Sequence, residues 1–367
     1  MKITHVISDM GIGGAGVQLG NLVGALSGEY DTRIIVPRGS LLTDTLSHVG
    51  ATVNELDFKG DRSFDIRDTQ KFRQFFTEHP TDILHTHATL SARLGGTLAG
   101  IGTCISTRHC ATPKANVKRK SKMQRYVYNY CTSMTVSTAD FATRNLIEEG
   151  LDEKRIVTIK NGSPQRKKLD TGMGIASRRR LSIPDGALIV GCCARLERVK
   201  GQDLILRTVP RIVKTLPRVH FLFVGDGSAR AEYERLAARL GIGAYVTFTG
   251  FTNDPEAYEN LFYINVNSSR GTETSCLATS ECMSLGIPTV ASDFGGNTEM
   301  ISHGVNGLLF RCDNHFSLGD RLITLLADRE LYRKLSEGAM RIYREQFSVD
   351  RMAAQYRALY ESLIPCR

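Results

Sequence analysis

Several features that would assign a chain to a class at once are missing from this sequence. No apolar run approaches the roughly 18 residues that a membrane-spanning helix needs. The nine cysteines are odd in number and form no Cys-x-x-Cys pair, which favours a reduced, cytosolic chain over a disulfide framework or a zinc site. Met1 and Lys2 lead directly into a short strand, so we expect no signal peptide. No sequence repeat indicates a solenoid or a propeller.

The composition is that of a globular protein with an excess of positive charge. At 367 residues, of which 41% are hydrophobic, the chain is long enough for two domains with sizeable cores. Its 47 lysines and arginines outnumber its 38 acidic residues and give a net charge of +9. That balance favours acidic partners, namely phosphorylated metabolites, nucleic acid or an anionic membrane surface.

Short apolar runs alternate with amphipathic helical stretches along the chain, which predicts parallel sheets wrapped by helices. The alternation is interrupted by a basic segment rich in Gly, Pro and Ser. We interpret residues 166–186 as a linker, with its Lys/Arg clusters as solvated surface and not as a nucleic-acid site. The predicted fold class is α/β, with Rossmann-like domains at 1–165 and 187–347 that face each other across a cleft. The runs predicted as strands are 3–8, 32–37, 81–87, 103–107, 133–137 and 155–160, then 187–194, 220–225, 245–250, 263–268, 287–292 and 307–310.

A glycine array follows the first predicted strand. Gly11, Gly13 and Gly16 match the G-x-G-x-x-G pattern that binds the pyrophosphate of a dinucleotide. The dinucleotide interpretation also needs a carboxylate at the end of the next strand, and that strand ends in VPRG at 36–39 without one. Arg38 suits the 2′-phosphate of NADP, so an NADP oxidoreductase stays open as an alternative. The array itself indicates a turn whose backbone approaches a ligand at a helix amino terminus.

Two cations follow the first strand of the second half. Arg195 and Lys200 lie five residues apart in the turn after 187–194, where cations suit a diphosphate that leaves with negative charge. A pair of exposed loop charges is the alternative interpretation.

Two carboxylates further along the chain favour a ligand site over a pair of exposed loop charges. Glu273 and Glu281 are eight residues apart, and a helix is predicted to start near Thr274 with Glu281 inside its apolar stripe. A buried carboxylate is costly unless a polar group meets it, and we expect that group to be a ligand hydroxyl. Eight helical residues rise about 12 Å, comparable with the span from hexose to ribose in a nucleotide sugar.

With these pieces in order, the chain resembles the retaining glycosyltransferases of family 4, which have the GT-B fold. The resemblance covers most of the sequence. Its motifs are the glycine turn, DILHTH at 82–87, KNG at 160–162, ARLxxxKG at 194–201, FVGDG at 223–227, the two glutamates and GIPTVASDFGG at 286–296.

The resemblance implies a role for each matching residue. Glu273 would contact the donor sugar, Glu281 the nucleotide ribose, and Arg195 with Lys200 the diphosphate. His87 would reach the donor sugar from the first domain. From the residues alone, His87 is a structural histidine at the carboxyl end of a strand. The implied catalytic set is Arg195, Lys200, Glu273 and His87, and the other donor contacts are Gly13, Gly14, Phe251, Ser275, Cys276, Leu277 and Glu281.

The resemblance further implies a reaction that keeps the anomeric configuration, with UDP- or GDP-linked sugar as donor and no cofactor. No Asp-x-Asp motif stands at a suitable place, so we expect no metal. Residues 348–367 would form a C-terminal helix that crosses back to the first domain. Where many relatives have glycines after the first glutamate, this chain has Thr274, Ser275 and Cys276, which bears on the sugar that fits.

The acceptor side has a basic run from Lys114 to Arg125, followed by three tyrosines. A basic helix there would bind an anionic leaflet or an acceptor phosphate, or serve as an ordinary solvated face. We therefore expect a protein at the inner face of the cell membrane that elongates a lipid-linked saccharide, as in lipopolysaccharide or exopolysaccharide synthesis. An inactive or regulatory GT-B homologue, or a sugar-nucleotide epimerase, is the alternative. The residues expected at the acceptor are Arg108, His109, Lys114 and Asn161.

Overall fold

The computed structural model describes residues 1–111, 117–271 and 273–364, and it divides into two compact units. The first unit comprises Met1–Ser163 together with the chain from Val349 onward. The second unit comprises Pro164–Ser348. Each unit is built around one parallel sheet, so the predicted α/β class with two Rossmann-like halves is confirmed.

The first unit contains a seven-stranded sheet in the order β3-β2-β1-β4-β5-β6-β7. Every pair of neighbours is parallel, and Val6 of β1 faces Thr86 of β4. The edge strand β3 was not predicted, because its TVNEL sequence alternates only weakly and none of its residues is fully buried. The strands are β1 Lys2–Ile7, β2 Asp31–Pro37, β3 Thr52–Leu56, β4 Ile83–His87, β5 Thr103–Arg108, β6 Met134–Ser137 and β7 Ile156–Thr158.

Helices connect these strands. The glycine array leads into the first helix, which has Gly13 as its amino-terminal cap. A side chain at Gly16 would lie 2.4 Å from the Leu42 side chain, so this glycine allows the first two helices to pack closely. The helices are α1 Gly14–Ala25, α2 Leu42–Leu46, α3 Ile66–Glu78, α4 Leu90–Leu98, α5 Lys122–Tyr130 and α6 Asp140–Glu148, with a 3₁₀ turn at Glu153–Arg155.

The second unit contains a six-stranded parallel sheet in the order β10-β9-β8-β11-β12-β13. All six of its strands coincide with predicted runs. The strands are β8 Leu188–Cys193, β9 Val219–Val224, β10 Val246–Phe248, β11 Ile264–Asn267, β12 Thr289–Ser292 and β13 Gly307–Phe310. The helices are α7 Thr171–Arg180, α8 Gln202–Thr215, α9 Arg230–Arg239, α10 Glu256–Glu259, α11 Leu277–Ser284, α12 Asn297–Met300, α13 His315–Ala327 and α14 Arg329–Ile342, with 3₁₀ turns at Arg198–Lys200 and Gly243–Tyr245 and a π-helical turn at Tyr343–Phe347.

The segment interpreted as a linker belongs to the second unit. It contains α7, and Ile183 is buried in a core cluster with Ala187 and Leu222. The Arg178 guanidinium donates a hydrogen bond to the Ala187 carbonyl at 2.8 Å. The packing of this segment was not predicted from its basic composition, because arginine side chains can cover apolar surface with their stems while keeping the charge hydrated.

The last helix, α15 Val349–Leu363, belongs to the first unit. Its Met352, Tyr356 and Tyr360 are buried in one cluster with Ile3 and Ile83 of the sheet. Within the described residues, no helix has the length and apolarity that crossing a membrane demands.

Each sheet has a point where the strand order reverses, between β1 and β4 in the first and between β8 and β11 in the second. At such a point the two connections leave in opposite directions and open a crevice at the carboxyl ends of the strands. His87 ends β4, and Lys200 lies in the turn after β8. His87 and Lys200, one predicted site residue from each unit, thus lie where sheets of this kind bind ligands.

Candidate functional site

A small pocket of the second unit lies at the carboxyl ends of β8 and β11 and has a cavity volume of about 20 Å³. Its position depends on the turn after β8. Gly201 has φ 68°, and a side chain there would lie 2.2 Å from the Ser268 carbonyl oxygen, so only glycine fits. The lining side chains include Cys192, Lys200, Asn267, Ser269, Glu273, Cys276 and Thr279.

Lys200 and Glu273 form an ion pair inside this pocket. The Lys200 ammonium donates to Glu273 Oε2 at 2.8 Å, and the Ser269 hydroxyl donates to the same oxygen at 2.6 Å. Burial alone would lower the pKa of Lys200, but the Glu273 carboxylate raises it above its ordinary value. The pocket therefore holds a permanent cation next to a carboxylate.

Arg195 lies at the start of the same turn and is exposed. Its guanidinium has no ion pair with any described residue, whereas its carbonyl accepts a hydrogen bond from Gln202 at 2.8 Å. An exposed guanidinium and a half-buried ammonium in one turn form an arrangement that can hold a polyanion at two points.

Helix α11 begins at Leu277, three residues later than the predicted start at Thr274. In the preceding loop, which includes a bend at Thr274, the Gly296 amide donates to the Glu273 carbonyl at 3.1 Å. Consequently Glu273 lies before the helix and only Glu281 lies on it, so the predicted 12 Å helical rise between them does not apply. Thr279 and Ser280 donate the first hydrogen bonds to the Cys276 carbonyl, and the amides of Leu277 and Ala278 precede them.

Glu281 is buried, and its polar partner is a protein side chain. Arg166 donates from its guanidinium to Glu281 Oε1 at 2.7 Å, and it also contacts Glu256 at 3.4 Å. The expectation that a ligand hydroxyl alone would meet the buried Glu281 charge is therefore corrected. Arg166 was also counted as solvated linker surface, whereas only 17% of its side chain is exposed.

Two other predicted donor residues of the second unit lie in different surroundings. Ser275 is buried immediately before the Cys276 cap of α11. Phe251 is 61% exposed in the loop after β10, so it presents a flat apolar surface to solvent. Phe251 does not line the pocket around Lys200.

In the first unit, His87 belongs to a chain of three histidines, which we call the histidine chain. His87 Nε2 lies 3.3 Å from His5 Nδ1, and His87 Nδ1 lies 2.8 Å from His109 Nε2. Burial lowers the pKa of His5 to about 3 and that of His109 to about 4, and it holds the pKa of His87 well below its ordinary value. The three imidazoles are therefore neutral, and each hydrogen bond fixes the direction of the next.

His5 was not predicted as a member of this group, although its position on β1 beside β4 follows from the sheet order. His5, His85 and His87 also form the group of potential metal ligands found among the described residues, with ligand atoms within 4.8 Å of one another. The two ring nitrogens of His85 already bond Tyr360 at 2.8 Å and Thr107 at 2.7 Å. A metal would have to break these hydrogen bonds as well as those of His87, so the donor set does not fit one.

The predicted acceptor residues have separate environments. Arg108 and Lys120 both pair with the buried Glu149, at 3.1 Å and 2.5 Å. Asn161 is buried and His109 serves the histidine chain. Lys114 lies outside the described residues. Gly13 caps α1, and a side chain at Gly14 would meet open space.

Comparison with known proteins identifies two family regions. Residues 12–164 match the family model described as Glycosyltransferase Family 4, and residues 175–341 match Glycosyl transferases group 1. Over 183 residues the chain is 32% identical to the D-inositol 3-phosphate glycosyltransferase of Stackebrandtia nassauensis, covering 46% of this chain and 40% of that protein. Over 222 residues it is 27% identical to the O-antigen biosynthesis glycosyltransferase WclY of Escherichia coli, covering 60% and 56%.

These two alignments thus span about half the length of the relatives. The structural similarity covers more of the chain than these sequence alignments do. The crystal structure of Anabaena Alr3699/HepE in complex with UDP-glucose superposes with a TM-score of 0.85 at 20% identity, covering 99% of this chain and 100% of that one.

Proposed function

This chain belongs to the family 4 glycosyltransferases of GT-B fold, and from that membership we propose that it moves a sugar from a nucleotide diphosphate donor to a hydroxyl of a saccharide acceptor. The observation that carries the proposal is the Lys200–Glu273 pair in the pocket at the strand-order reversal of the second unit, with Arg195 exposed beside it. This set combines cations for a leaving diphosphate with a carboxylate for sugar hydroxyls.

The proposed chemistry assigns one task to each group. Lys200 and Arg195 stabilise the negative charge that develops on the departing diphosphate, and the amides that begin α11 add hydrogen bonds to it. Glu273 binds hydroxyls of the donor sugar, and its charge favours the oxocarbenium-like state. Glu281 accepts from the nucleotide ribose. The reaction retains the anomeric configuration, because the acceptor hydroxyl attacks the oxocarbenium-like state on the face from which the diphosphate leaves, and the departing diphosphate takes up the acceptor's proton.

We propose His87 as a further donor contact. Both of its ring nitrogens are engaged in the histidine chain, so a sugar hydroxyl that meets His87 has to replace either His5 or His109. Substitution of His87 by Gln is then expected to weaken binding of the nucleotide sugar less than loss of Lys200 does, because Gln keeps one hydrogen-bond donor and one acceptor.

For the donor we propose UDP- or GDP-linked sugar, and the HepE complex with UDP-glucose supports the first. For the acceptor we propose a lipid-linked saccharide in O-antigen or related polysaccharide synthesis, as the name of the WclY relative suggests. Membrane contact is proposed through α5. Its Met123 and Tyr126 are 69% and 70% exposed, Tyr130 follows on the same side, and basic residues lie alongside.

The donor experiment is a screen of UDP, GDP and their sugars by thermal shift, followed by product analysis with a labelled donor. A ligand that binds only the folded state raises the melting temperature. We expect one nucleotide to stabilise the protein and its sugar to be transferred with retention. Stabilisation without turnover would indicate a regulatory homologue, and a changed sugar on the nucleotide would indicate an epimerase. No stabilisation by any nucleotide would contradict the proposal.

The membrane experiment is co-sedimentation with vesicles that contain or lack anionic lipid. Each basic residue near an anionic leaflet contributes about 1 kcal/mol, so binding should be reversible and should weaken with salt. The test variant replaces Lys118, Arg119 and Lys122 by Gln, and Tyr126→Ser probes the apolar face. Equal sedimentation of all forms on both vesicle types would contradict membrane binding and favour a soluble acceptor.

A further inference from the structure

A second buried carboxyl group, that of Glu259, lies near Glu281 and has no function in the reaction proposed above. Glu259, the last residue of α10, is fully buried. Within the described parts of the chain, no N–H or O–H group donates a hydrogen bond to either of its oxygens. Its closest cationic atom is Arg166 Nε at 3.6 Å. A buried carboxylate without a hydrogen-bond donor is among the costliest groups a protein can contain.

The group next to Glu259 is itself a carboxyl. Glu281 and Glu259 contact the same Arg166 guanidinium, at 2.7 Å and 3.6 Å, and the Cys193 thiol of β8 also faces Glu259. Two ionised carboxylates in contact have acceptors only, so they can bond each other only when one of them carries a proton.

The net charge of the cluster also requires a proton on one buried glutamate. The acid cluster consists of Arg166, Glu256, Glu259 and Glu281, so one positive charge would face three negative ones. Glu256 is the exposed member, with 30% of its side chain in solvent, and water can stabilise its charge. Arg166 can compensate one of the two buried glutamates but not both. A proton on the other removes the excess charge.

We propose that Glu259 is a neutral acid that donates its proton to Glu281, and that it thereby positions the Glu281 carboxylate as the acceptor for the nucleotide ribose. The ribose role rests on the proposed function; the shared proton does not. A carboxylate offers about four lone-pair sites, so Arg166 and Glu259 together leave sites for ribose hydroxyls. Glu259 is thus a positioning residue that touches no substrate.

The electrostatic surroundings support this assignment. Burial, followed by the neighbouring Glu281 charge, raises the pKa of Glu259 well above its ordinary value, and Arg166 opposes this effect. The groups that face Glu259 are Glu281 and Cys282 of α11, Cys193 of β8, Arg166, and Glu256 of its own helix. Burial also raises the pKa values of both thiols, so neither adds a charge at neutral pH.

The proton is tested by infrared spectroscopy at pH 7, without any nucleotide. A glutamic acid with an ordinary pKa has lost its protonated carboxyl band at this pH. We expect the wild type to show such a band, with the shift that deuterium exchange gives, and the Glu259→Gln variant to lack it. Glu256→Gln, which changes the exposed member of the same cluster, should keep it. Absence of the band in the wild type, or its persistence in Glu259→Gln, would overturn the proposal.

The positioning role is tested by titrating the nucleotide that the wild type binds best. Gln has the shape of glutamic acid and can donate from its amide, so Glu259→Gln should keep the dissociation constant within about twofold. Glu259→Leu has no donor and should weaken binding about tenfold or more, because hydrogen bonds to charged groups contribute that much. Equal weakening by Gln and Leu would overturn the positioning role. If the wild type binds no nucleotide, the proposed function and the ribose role fail together, and the infrared band still decides where the proton is.

Discussion

Mild acid should unfold the first unit while leaving the second intact. The first unit buries four histidines that are neutral in the folded state, the three of the histidine chain and His85. Their folded pKa values lie below the unfolded value of about 6.5. Between these values the unfolded chain binds more protons than the folded one, so stability is present above pH 6.5 and is lost as the pH falls.

The size of the effect follows from the unfolded chain. At pH 5.5, which is about one unit below the unfolded pKa, each histidine that is released gains about 1.4 kcal/mol from taking up a proton. Four of them give about 5 to 6 kcal/mol, which is comparable with the entire stability of many domains. Coupling among the histidines lowers the folded pKa values further and leaves the unfolded side unchanged, so it does not reduce this figure.

The second unit provides an internal control. Burial lowers the pKa of its His220 to about 4, so this single histidine lowers the stability of the second unit in acid as each histidine of the first unit does. Burial raises the pKa values of Glu259 and Glu281 instead, so the folded second unit binds more protons than its unfolded chain, and acid stabilises it through these groups. The two effects oppose each other, so the second unit should lose less stability than the first between pH 7.5 and 5.5.

The assay is urea unfolding at both pH values, with hydrogen exchange read by mass spectrometry to follow each unit. We expect the amides of β1, β4 and β5 to lose protection at pH 5.5, and those of β8 and β11 to keep it. His5→Gln should reduce the pH slope of the first unit by about one quarter, whatever its absolute stability. A first unit whose stability changes by less than about 1 kcal/mol would refute the neutral histidine chain, as would earlier acid unfolding of the second unit.

Three further predictions concern single residues of the second unit. Arg195→Ala and Lys200→Ala should each lower the rate at which the nucleotide is released from the donor sugar by about a hundredfold, because one preorganised group that stabilises developing charge contributes about 3 kcal/mol. Near-normal rates in both variants would show that the diphosphate does not bind at these residues. Glu281→Gln should weaken nucleotide binding in calorimetry while the melting curve stays cooperative, since a charge-assisted hydrogen bond is lost; unchanged affinity would contradict the ribose contact. Gly296→Ala should destabilise the second unit by more than about 3 kcal/mol in urea, because the new methyl would lie 1.5 Å from the Thr274 carbonyl oxygen. Gly243→Ala, which meets open space, is its control, and equal losses in the two variants would argue against the clash.

The parts of the fold that the sequence predicted are those with strong local patterns. All six strands of the second sheet are short apolar runs between turns, and burial on both faces is what makes such runs apolar. Strand β3 was missed because an edge strand with Asn54 and Glu55 need not be apolar. The start of α11 was placed too early because the hydrogen bond that the Glu273 carbonyl accepts comes from Gly296, which is distant in sequence.

The site shows the same division. Lys200 and Glu273 were predicted from their spacing and from the family motifs, and the structure brings them into one pocket. Arg166 could not be predicted as the partner of Glu281, because 115 residues separate them and a basic segment gives no sign of which cation is buried. His5 was missed for a similar reason, since a single histidine in an apolar strand carries no local signal until the strand order places it beside His87.

The central claim is that the Lys200 pocket binds the diphosphate of a nucleotide sugar, and calorimetric titration of UDP and GDP tests it most directly. The three proteins to compare are the wild type, Lys200→Met, and Lys214→Met, in which an exposed lysine of α8 is removed. We predict that the wild type and Lys214→Met bind one nucleotide with equal affinity. Lys200→Met should bind it at least tenfold more weakly, because a charge-assisted contact to the diphosphate is lost. Equal affinity of all three proteins, or no binding by the wild type, would contradict the account.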